Sequence, residues 1–286
     1  MKFRTEIDIK PYPFSISYND MLLFVGSCFA DHIGNYFKKH RFNTFVNPFG
    51  TLFNPFSIKL ALDLAQKKQH FDEHYIRYFN EKWISFAHHG KFSNSDKELF
   101  LTNIRQVIEE IGRQLSNIDY LFITFGTAYY YRHIERDLIV ANCHKIPAKE
   151  FEKKRASVDR IVAEYQLLCE ELLDFNDKLK IVFTVSPIRH LGDGFHENQV
   201  SKSILHLAVD ELVDNERIFY FPAYEILQDD LRDYRFYAQD LCHPAEQAIS
   251  YIEEKFEIAF FTPETIENLR EIERINKREG HRYNNS

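Results

Sequence analysis

The sequence has 286 residues, of which 44% are hydrophobic, while glycine and proline occur only nine times each. These values exclude collagen-like, linker-rich and intrinsically disordered chains. The 36 Lys and Arg residues are outnumbered by 43 Asp and Glu residues, and the formal net charge is -7. A nucleic-acid partner, which favours a basic surface, is therefore not expected. The length fits a single α/β domain, predicted over residues 1–276, followed by a polar, disordered tail at 277–286.

The cysteines and the N-terminus indicate the cellular compartment. Four cysteines lie far apart and form no C-x-x-C pair: Cys28, Cys143, Cys169 and Cys242. They predict reduced thiols rather than a zinc ribbon or a disulfide scaffold. Glu6 and Asp8 lie where a secretory signal needs an apolar stretch, and no segment is apolar enough to span a bilayer. We expect a cytoplasmic protein, although a chain with a trimmed signal would look the same, and the oligomeric state stays open.

Short apolar runs alternate with helical patterns along the chain. The runs predict strands at 21–25, 42–46, 120–125, 181–185 and 218–221, of which the second is the weakest. Apolar positions three and four apart predict helices at 28–40, 55–66, 96–115, 158–173, 199–213, 244–260 and 263–275. This alternation implies a three-layer α/β/α fold around a central, mostly parallel five-stranded sheet. Because ligands bind at the carboxyl ends of such strands, the residues after each strand are the candidates for chemistry.

Ser27 follows the first predicted strand, within the run Gly-Ser-Cys-Phe-Ala at 26–30. A tight turn there places its hydroxyl at a helix N-terminus, where backbone N–H groups and the helix dipole favour the negative charge that a nucleophile develops. The simpler interpretation is that Ser27 only caps the helix. Cys28 lies one position further along and is predicted to pack toward the core.

Asp240 and His243 stand three residues apart, directly before Pro244 and a predicted helix. At this spacing a carboxylate can bind imidazole Nδ1 and leave Nε2 free to accept a proton from a serine. The competing interpretation is a solvent-facing Asp and His at a helix start. Each feature alone is weak evidence, but together they predict a catalytic triad of Ser27, His243 and Asp240.

The order of these residues resembles that of SGNH, or GDSL-type, hydrolases, and a closer resemblance is to the GSCFA family. Several separate motifs between residues 20 and 250 carry it: Gly-Ser-Cys-Phe-Ala at 26–30, Asn-Pro-Phe-Gly-Thr-Leu-Phe-Asn-Pro at 47–55, Ile-Thr-Phe-Gly-Thr-Ala at 123–128, Ala-Asn-Cys-His-Lys at 141–145, Thr-Val-Ser-Pro-Ile-Arg-His at 184–190, and Arg-Asp-Tyr-Arg-Phe-Tyr-Ala-Gln-Asp at 232–240. The resemblance implies an SGNH hydrolase-like domain with flavodoxin-like strand order. Its serine mechanism needs no metal or organic cofactor.

The resemblance also implies where the oxyanion hole lies. Ser27 matches the nucleophile, whose own N–H is one donor, and Gly50 matches the glycine whose N–H supplies a second. The usual Gly-x-Asn after the third strand is replaced by Gly-Thr-Ala at 126–128, so the third donor is missing. Loss of one such donor costs about two to three orders of magnitude in rate. We predict Asn142 as the replacement, with Thr127 as the second choice; a loop asparagine and a turn threonine are the competing interpretations.

Substrate contacts are predicted just after the fourth strand, where Arg189 and His190 can grip an acyl or anionic group. His144 is a further candidate. For Arg189, a structural ion pair with Asp193 is an equally good interpretation. The tyrosines at 129–131 are expected mainly to pack, with one or two lining the cleft, because the chain holds 16 Tyr and 27 Phe.

The run at 70–74 fits the H-x-x-E-H pattern of zinc peptidases, although a chain with 13 histidines produces such a match easily. A zinc hydrolase that uses His70 and His74 is therefore only a remote alternative. The main prediction is a deacetylase-like serine esterase that acts on an O-acylated carbohydrate, lipid or small metabolite through an acyl-enzyme. An acyltransferase, or a catalytically weak protein that binds carbohydrates or acyl groups, is also compatible with this fold.

Overall fold

A computed structural model describes residues 4–67 and 69–283, the side chains of residues 279–283 excepted. Its centre is a five-stranded sheet, made of β1 (Met21–Gly26), β2 (Asn43–Val46), β3 (Tyr120–Phe125), β4 (Lys180–Val185) and β5 (Ile218–Tyr220). The strands lie in the order β2-β1-β3-β4-β5, and every neighbouring pair is parallel. This is the flavodoxin-like order, and the predicted fold class is confirmed.

The long helices are α1 (Cys28–Lys39), α2 (Pro55–Ala65), α3 (Lys97–Gln114), α4 (Val158–Phe175), α5 (Phe195–Leu212), α6 (Glu246–Phe260) and α7 (Pro263–Tyr283). Polar side chains fix several starts: Asn54, Asp96 and Ser157 each accept a hydrogen bond from a backbone N–H in the first turn of α2, α3 and α4. Among the helices of the described residues, none is long and apolar enough to cross a membrane.

Helix α7 runs past its predicted end at residue 275 and includes residues 277–283 of the predicted tail. No proline interrupts the helix after Pro263, and the Asn276 side chain donates to the Lys39 carbonyl at 3.1 Å. Arg270 and Glu273, one turn apart, form an ion pair at 3.3 Å. The last residues of the predicted tail, 284–286, lie outside the described residues.

Alternate residues of each strand pack on opposite faces of the sheet, as the pleat requires. Leu23 and Val25 of β1 join a core with buried side chains of α2, α4 and α5. Leu22 and Phe24 join a second core with α1 and α6. The sheet is thus covered by helices on both faces, which leaves its carboxyl edge as the place where polar side chains can gather.

Two small antiparallel units were not predicted. One is a hairpin of Ile76–Phe79 with Lys82–Ser85, and the other is a three-stranded sheet of Tyr129–His133 between Leu138–Val140 and Phe151–Arg155. Charged residues break the apolar alternation in these short strands, for example in Phe-Glu-Lys-Lys-Arg at 151–155. The three-stranded sheet begins a few residues after β3, so it forms one wall of the region beyond the carboxyl edge.

Candidate active site

Ser27 lies between the end of β1 and the start of α1. Its N–H donates to the Thr124 carbonyl at 3.0 Å, which extends the pairing of β1 with β3, and its Oγ accepts the N–H of Phe29 at 3.4 Å. Ser27 therefore does cap α1, and it also stands at the carboxyl end of a central strand, as predicted. The residue is fully buried in this structure, and it is the neighbouring Cys28 that borders the adjacent cleft.

Gly26 sets the turn that places Ser27. Its φ is 134°, and a Cβ there would lie 2.1 Å from the Thr124 carbonyl oxygen, which belongs to β3 and cannot move aside. We expect Gly26→Ala to lower the free energy of unfolding by about 3 kcal/mol or more. Urea denaturation measures this. The control is Gly192→Ala, where an added Cβ meets nothing within 4 Å; equal stability of the two variants would contradict the account.

Asp240 and His243 are in direct contact. His243 Nδ1 lies 2.6 Å from Asp240 Oδ2, while Asp240 Oδ1 accepts the N–H groups of His243 at 3.0 Å and Cys242 at 2.9 Å. These backbone hydrogen bonds, with the imidazole contact, lower the pKa of Asp240 to about 2, so the carboxylate is ionised at neutral pH. When Nδ1–H donates to Asp240, Nε2 of His243 is left as a proton acceptor.

Arg189 anchors the loop that carries this pair. Its N–H donates to the Cys242 carbonyl and its guanidinium to the Leu241 carbonyl, each at 3.1 Å. Three aromatic rings surround the guanidinium with their centroids at 5.4 to 5.9 Å: Phe195, Tyr234 and Tyr237. The ion pair of Arg189 with Asp193 is not formed, because Asp193 pairs with Lys153. Arg189 also borders the cleft, so a substrate contact remains a prediction.

A cleft of about 520 Å³ opens at the carboxyl edge of the sheet. Predicted site residues that line it are Thr127, Asn142, Arg189, His190 and His243. Tyr129 and Tyr131 also line it while Tyr130 is buried, as expected for alternate positions of one strand.

Cys28 lines the same cleft, so the prediction that it packs only toward the core is wrong in part. It still contacts the core on the α1 side of the sheet. Burial, with the nearby Asp31 carboxylate, raises the pKa of the Cys28 thiol. A neutral thiol is a poor nucleophile, and Cys28 is therefore a weak competitor for Ser27.

The backbone N–H groups predicted as oxyanion donors already have partners. The Ser27 N–H is bound to Thr124, and the Gly50 N–H donates to the Asn47 carbonyl at 2.8 Å. Gly50 has a φ of 84° and packs against His89, whose Cβ lies 2.2 Å from the position of an added Cβ. It thus serves a tight turn and lies outside the cleft lining, which contradicts the predicted role. Neither N–H is free to bind an oxyanion in this structure.

The two candidates for the missing donor differ in how much of their hydrogen-bonding capacity is free. The Thr127 hydroxyl lies 3.0 Å from Ser201 Oγ and accepts the N–H of Tyr129 at 3.1 Å. Asn142 Oδ1 accepts the N–H of His144 at 2.7 Å, and no acceptor among the described residues binds its amide nitrogen. Asn142 is therefore the better candidate of the two.

His144 does not line the cleft, because its Nε2 lies 2.7 Å from the Ser85 carbonyl oxygen. A substrate contact of His144 therefore has no support from the cleft lining and stays a prediction. The zinc alternative also lacks its geometry: His74 lies in a three-residue 3-10 helix, His70 precedes it, and both are exposed. They do not occupy one face of an α-helix, and no group of three or more His, Cys, Asp or Glu side chains suited to a metal occurs among the side chains described within residues 4–67 and 69–278.

Lys202 is a buried residue beside the site that was not among the predicted site residues. It lies on α5 and is only 1% exposed, and its Nζ donates to the Gly126 carbonyl at 2.7 Å and the Ser186 carbonyl at 2.6 Å. These carbonyls directly follow β3 and β4, so one ammonium group joins the ends of two neighbouring strands. The signal was present: Lys202 falls three and seven residues before Leu205 and Val209, on the apolar face of the predicted helix.

Burial lowers the pKa of Lys202 from 10.5 to about 7. Between these pH values the unfolded chain binds the proton that the folded chain has released, so this residue makes stability rise with pH. We expect the stability of the wild type relative to Lys202→Met to increase between about pH 7 and pH 10, as measured by urea denaturation. Exposed Lys178 offers the control Lys178→Met. If the difference in stability between wild type and Lys202→Met does not change with pH, the pKa of Lys202 is not lowered by burial.

The order of the five parallel strands and the helices on both faces of the sheet define a three-layer α/β/α protein with flavodoxin-like strand order. A family model described as the GSCFA family matches residues 21–256, and the chain belongs to that family. No curated protein matches the chain. Among solved structures, the chain is similar to the crystal structure of a carbohydrate esterase family 3 from Talaromyces cellulolyticus, with 8% identity, a TM-score of 0.40, and coverage of 88% of this chain and 99% of that chain.

Proposed function

We propose that this chain is a serine esterase of the SGNH type, with Ser27 as nucleophile, His243 as base and Asp240 as the orienting acid. The observation that carries the proposal is the 2.6 Å contact between His243 Nδ1 and the ionised Asp240, beside a cleft that also reaches Cys28, the neighbour of Ser27. A carboxylate-bound imidazole facing a cleft is the arrangement that general-base catalysis requires.

In the proposed reaction, Ser27 Oγ forms a bond to the ester carbonyl carbon while its proton passes to His243 Nε2. The carbonyl electron pair moves onto the oxygen, then returns and expels the alcohol, which takes the proton from His243. Water repeats the sequence on the acyl-enzyme and releases the acid. An acyltransferase follows the same steps with an alcohol in place of water.

The substrate that best suits the cleft is a short acyl ester of a carbohydrate or another small polar metabolite. Tyr129 and Tyr131 bring aromatic side chains to the cleft lining, and Asn142 and Arg189 bring hydrogen-bond donors to it. The Lys153–Asp193 ion pair in the lining adds a charged, polar group beside these side chains.

A binding protein on the same fold is the second candidate, favoured by the burial of Ser27. Within the described residues no hydrogen bond joins Ser27 to His243, so attack requires a side-chain movement that uncovers the hydroxyl. Catalytic hydrogen bonds are often long or unformed without substrate. The test is reaction with a fluorophosphonate: an esterase is labelled stoichiometrically and loses activity in step, whereas a binding protein with an unactivated serine stays unlabelled.

A further inference from the structure

His190 follows β4 and lies beside Ser27. A Cβ added to Gly126 would lie 3.2 Å from Ser27 Cβ and 3.4 Å from His190 Nε2, so both groups flank the same small space above this glycine. Gly126 opens the Gly-Thr-Ala run in which the superfamily's asparagine is missing. His190 Nε2 therefore lies near the start of this run, on the side of Gly126 that also faces Ser27.

His190 Nε2 is buried and has no hydrogen-bond partner among the described residues. Leaving a buried polar atom unpaired costs about 1 to 3 kcal/mol, and such atoms in folded proteins call for an explanation. The residue itself is well fixed: its N–H donates to Asn198 Oδ1 at 2.9 Å, and its ring packs edge-on against Phe53 at 5.8 Å. The unpaired nitrogen is thus held in place beside Ser27.

The charge state of His190 suits a donor better than a base. Burial, with the positive charge of Lys202 nearby, lowers the pKa of His190 to about 4, so the ring is neutral at pH 7. A neutral imidazole with its proton on Nε2 donates one hydrogen bond and does not easily accept a second proton. His243, which is held by a carboxylate, is the better proton acceptor of the two.

We infer that His190, through Nε2–H, is the oxyanion donor that replaces the missing asparagine. The inference rests on the proposed function. As the Ser27 Oγ–carbon bond forms and the carbonyl electron pair moves onto oxygen, Nε2–H donates to that oxygen and keeps its proton. A preorganised donor of this kind, which gains its partner only as charge develops, stabilises the transition state rather than the bound substrate.

The test compares His190→Phe, which removes the donor and keeps a ring, with His190→Asn, which supplies an amide. For p-nitrophenyl acetate we expect His190→Phe to lower kcat about 10²- to 10³-fold with KM changed less than about threefold. His190→Asn should retain at least tenfold more activity than the Phe variant. Thermal melting normalises the rates to folded protein, His190→Ala replaces the Phe variant if that does not fold, and the exposed His196→Phe is the control.

The outcomes separate the two proposals. Wild-type hydrolysis that depends on Ser27, together with His190→Phe activity within threefold of wild type, overturns the inference and leaves the esterase intact. If His243→Ala stays active while His190→Phe and His190→Asn lose activity equally, His190 is the general base. This result also overturns the inference that His190 is the oxyanion donor. Wild-type protein without Ser27-dependent hydrolysis overturns both the inference and the proposed function.

Discussion

Replacing Ser27 by alanine is expected to lower kcat/KM for p-nitrophenyl acetate by about 10⁴-fold or more, because no acyl-enzyme can then form. The variant should still fold. It loses only the hydroxyl that accepts the Phe29 N–H, and loss of such a cap costs about 1 kcal/mol. Steady-state kinetics and a urea titration of the same preparation separate the two effects.

The matched control is Cys28→Ala, one residue further along and on the lining of the same cleft. Because its thiol is neutral at pH 7, we expect activity within a few-fold of wild type. The reverse pattern, with activity lost in Cys28→Ala and kept in Ser27→Ala, would make Cys28 the nucleophile in place of Ser27. Equal activity in all three proteins would place the reaction elsewhere.

Replacing His243 by alanine is expected to lower kcat about 10⁴-fold, because the proton of Ser27 then has no acceptor. Asp240→Asn should cause a smaller loss of kcat, on the order of 10²- to 10³-fold. Because Asp240 is half-exposed, solvent can also bind His243 Nδ1 and stabilise the protonated imidazole. Both variants should keep the wild-type melting temperature within a few degrees, because the pair lies at the surface.

His74→Ala is the control for the histidine substitutions, since His74 is exposed and far from β1 in sequence. Its activity should equal that of wild type. A His74→Ala variant as inactive as His243→Ala would favour the zinc hydrolase instead. A fully active His243→Ala variant would show that His243 is not the general base.

The central architecture followed from the sequence because its signals are strong. Buried strands at 21–25 and 120–125 read as continuous apolar runs, and caps such as Asn54 and Asp96 mark where helices begin. The accessory sheet around Tyr129–His133 did not follow, because its short strands carry charged residues on the exposed face. The extension of α7 was missed for a related reason: its last turns are polar, and the pattern offers no apolar stripe to recognise.

The site could be predicted only as far as local motifs reach. Ser27 and the Asp240–His243 pair are each encoded within a few residues, so their positions were found. The hydrogen bonds of the backbone could not be predicted in the same way. The Gly50 N–H donates within a turn, and this depends on the path of the whole loop. Lys202 was missed because what it joins, the carbonyls after β3 and β4, becomes neighbouring only when the sheet has formed.

The most direct test of the account is the position of the acyl group. Wild-type protein is mixed with p-nitrophenyl acetate, quenched in acid within the first turnovers, digested, and its peptides are weighed and fragmented by mass spectrometry. Acetyl is expected on the Ser27 hydroxyl of the wild type and is expected to be absent from Ser27→Ala. Acetyl on Cys28 or Lys202, or a turnover that leaves Ser27 unmodified under every condition, would contradict the account.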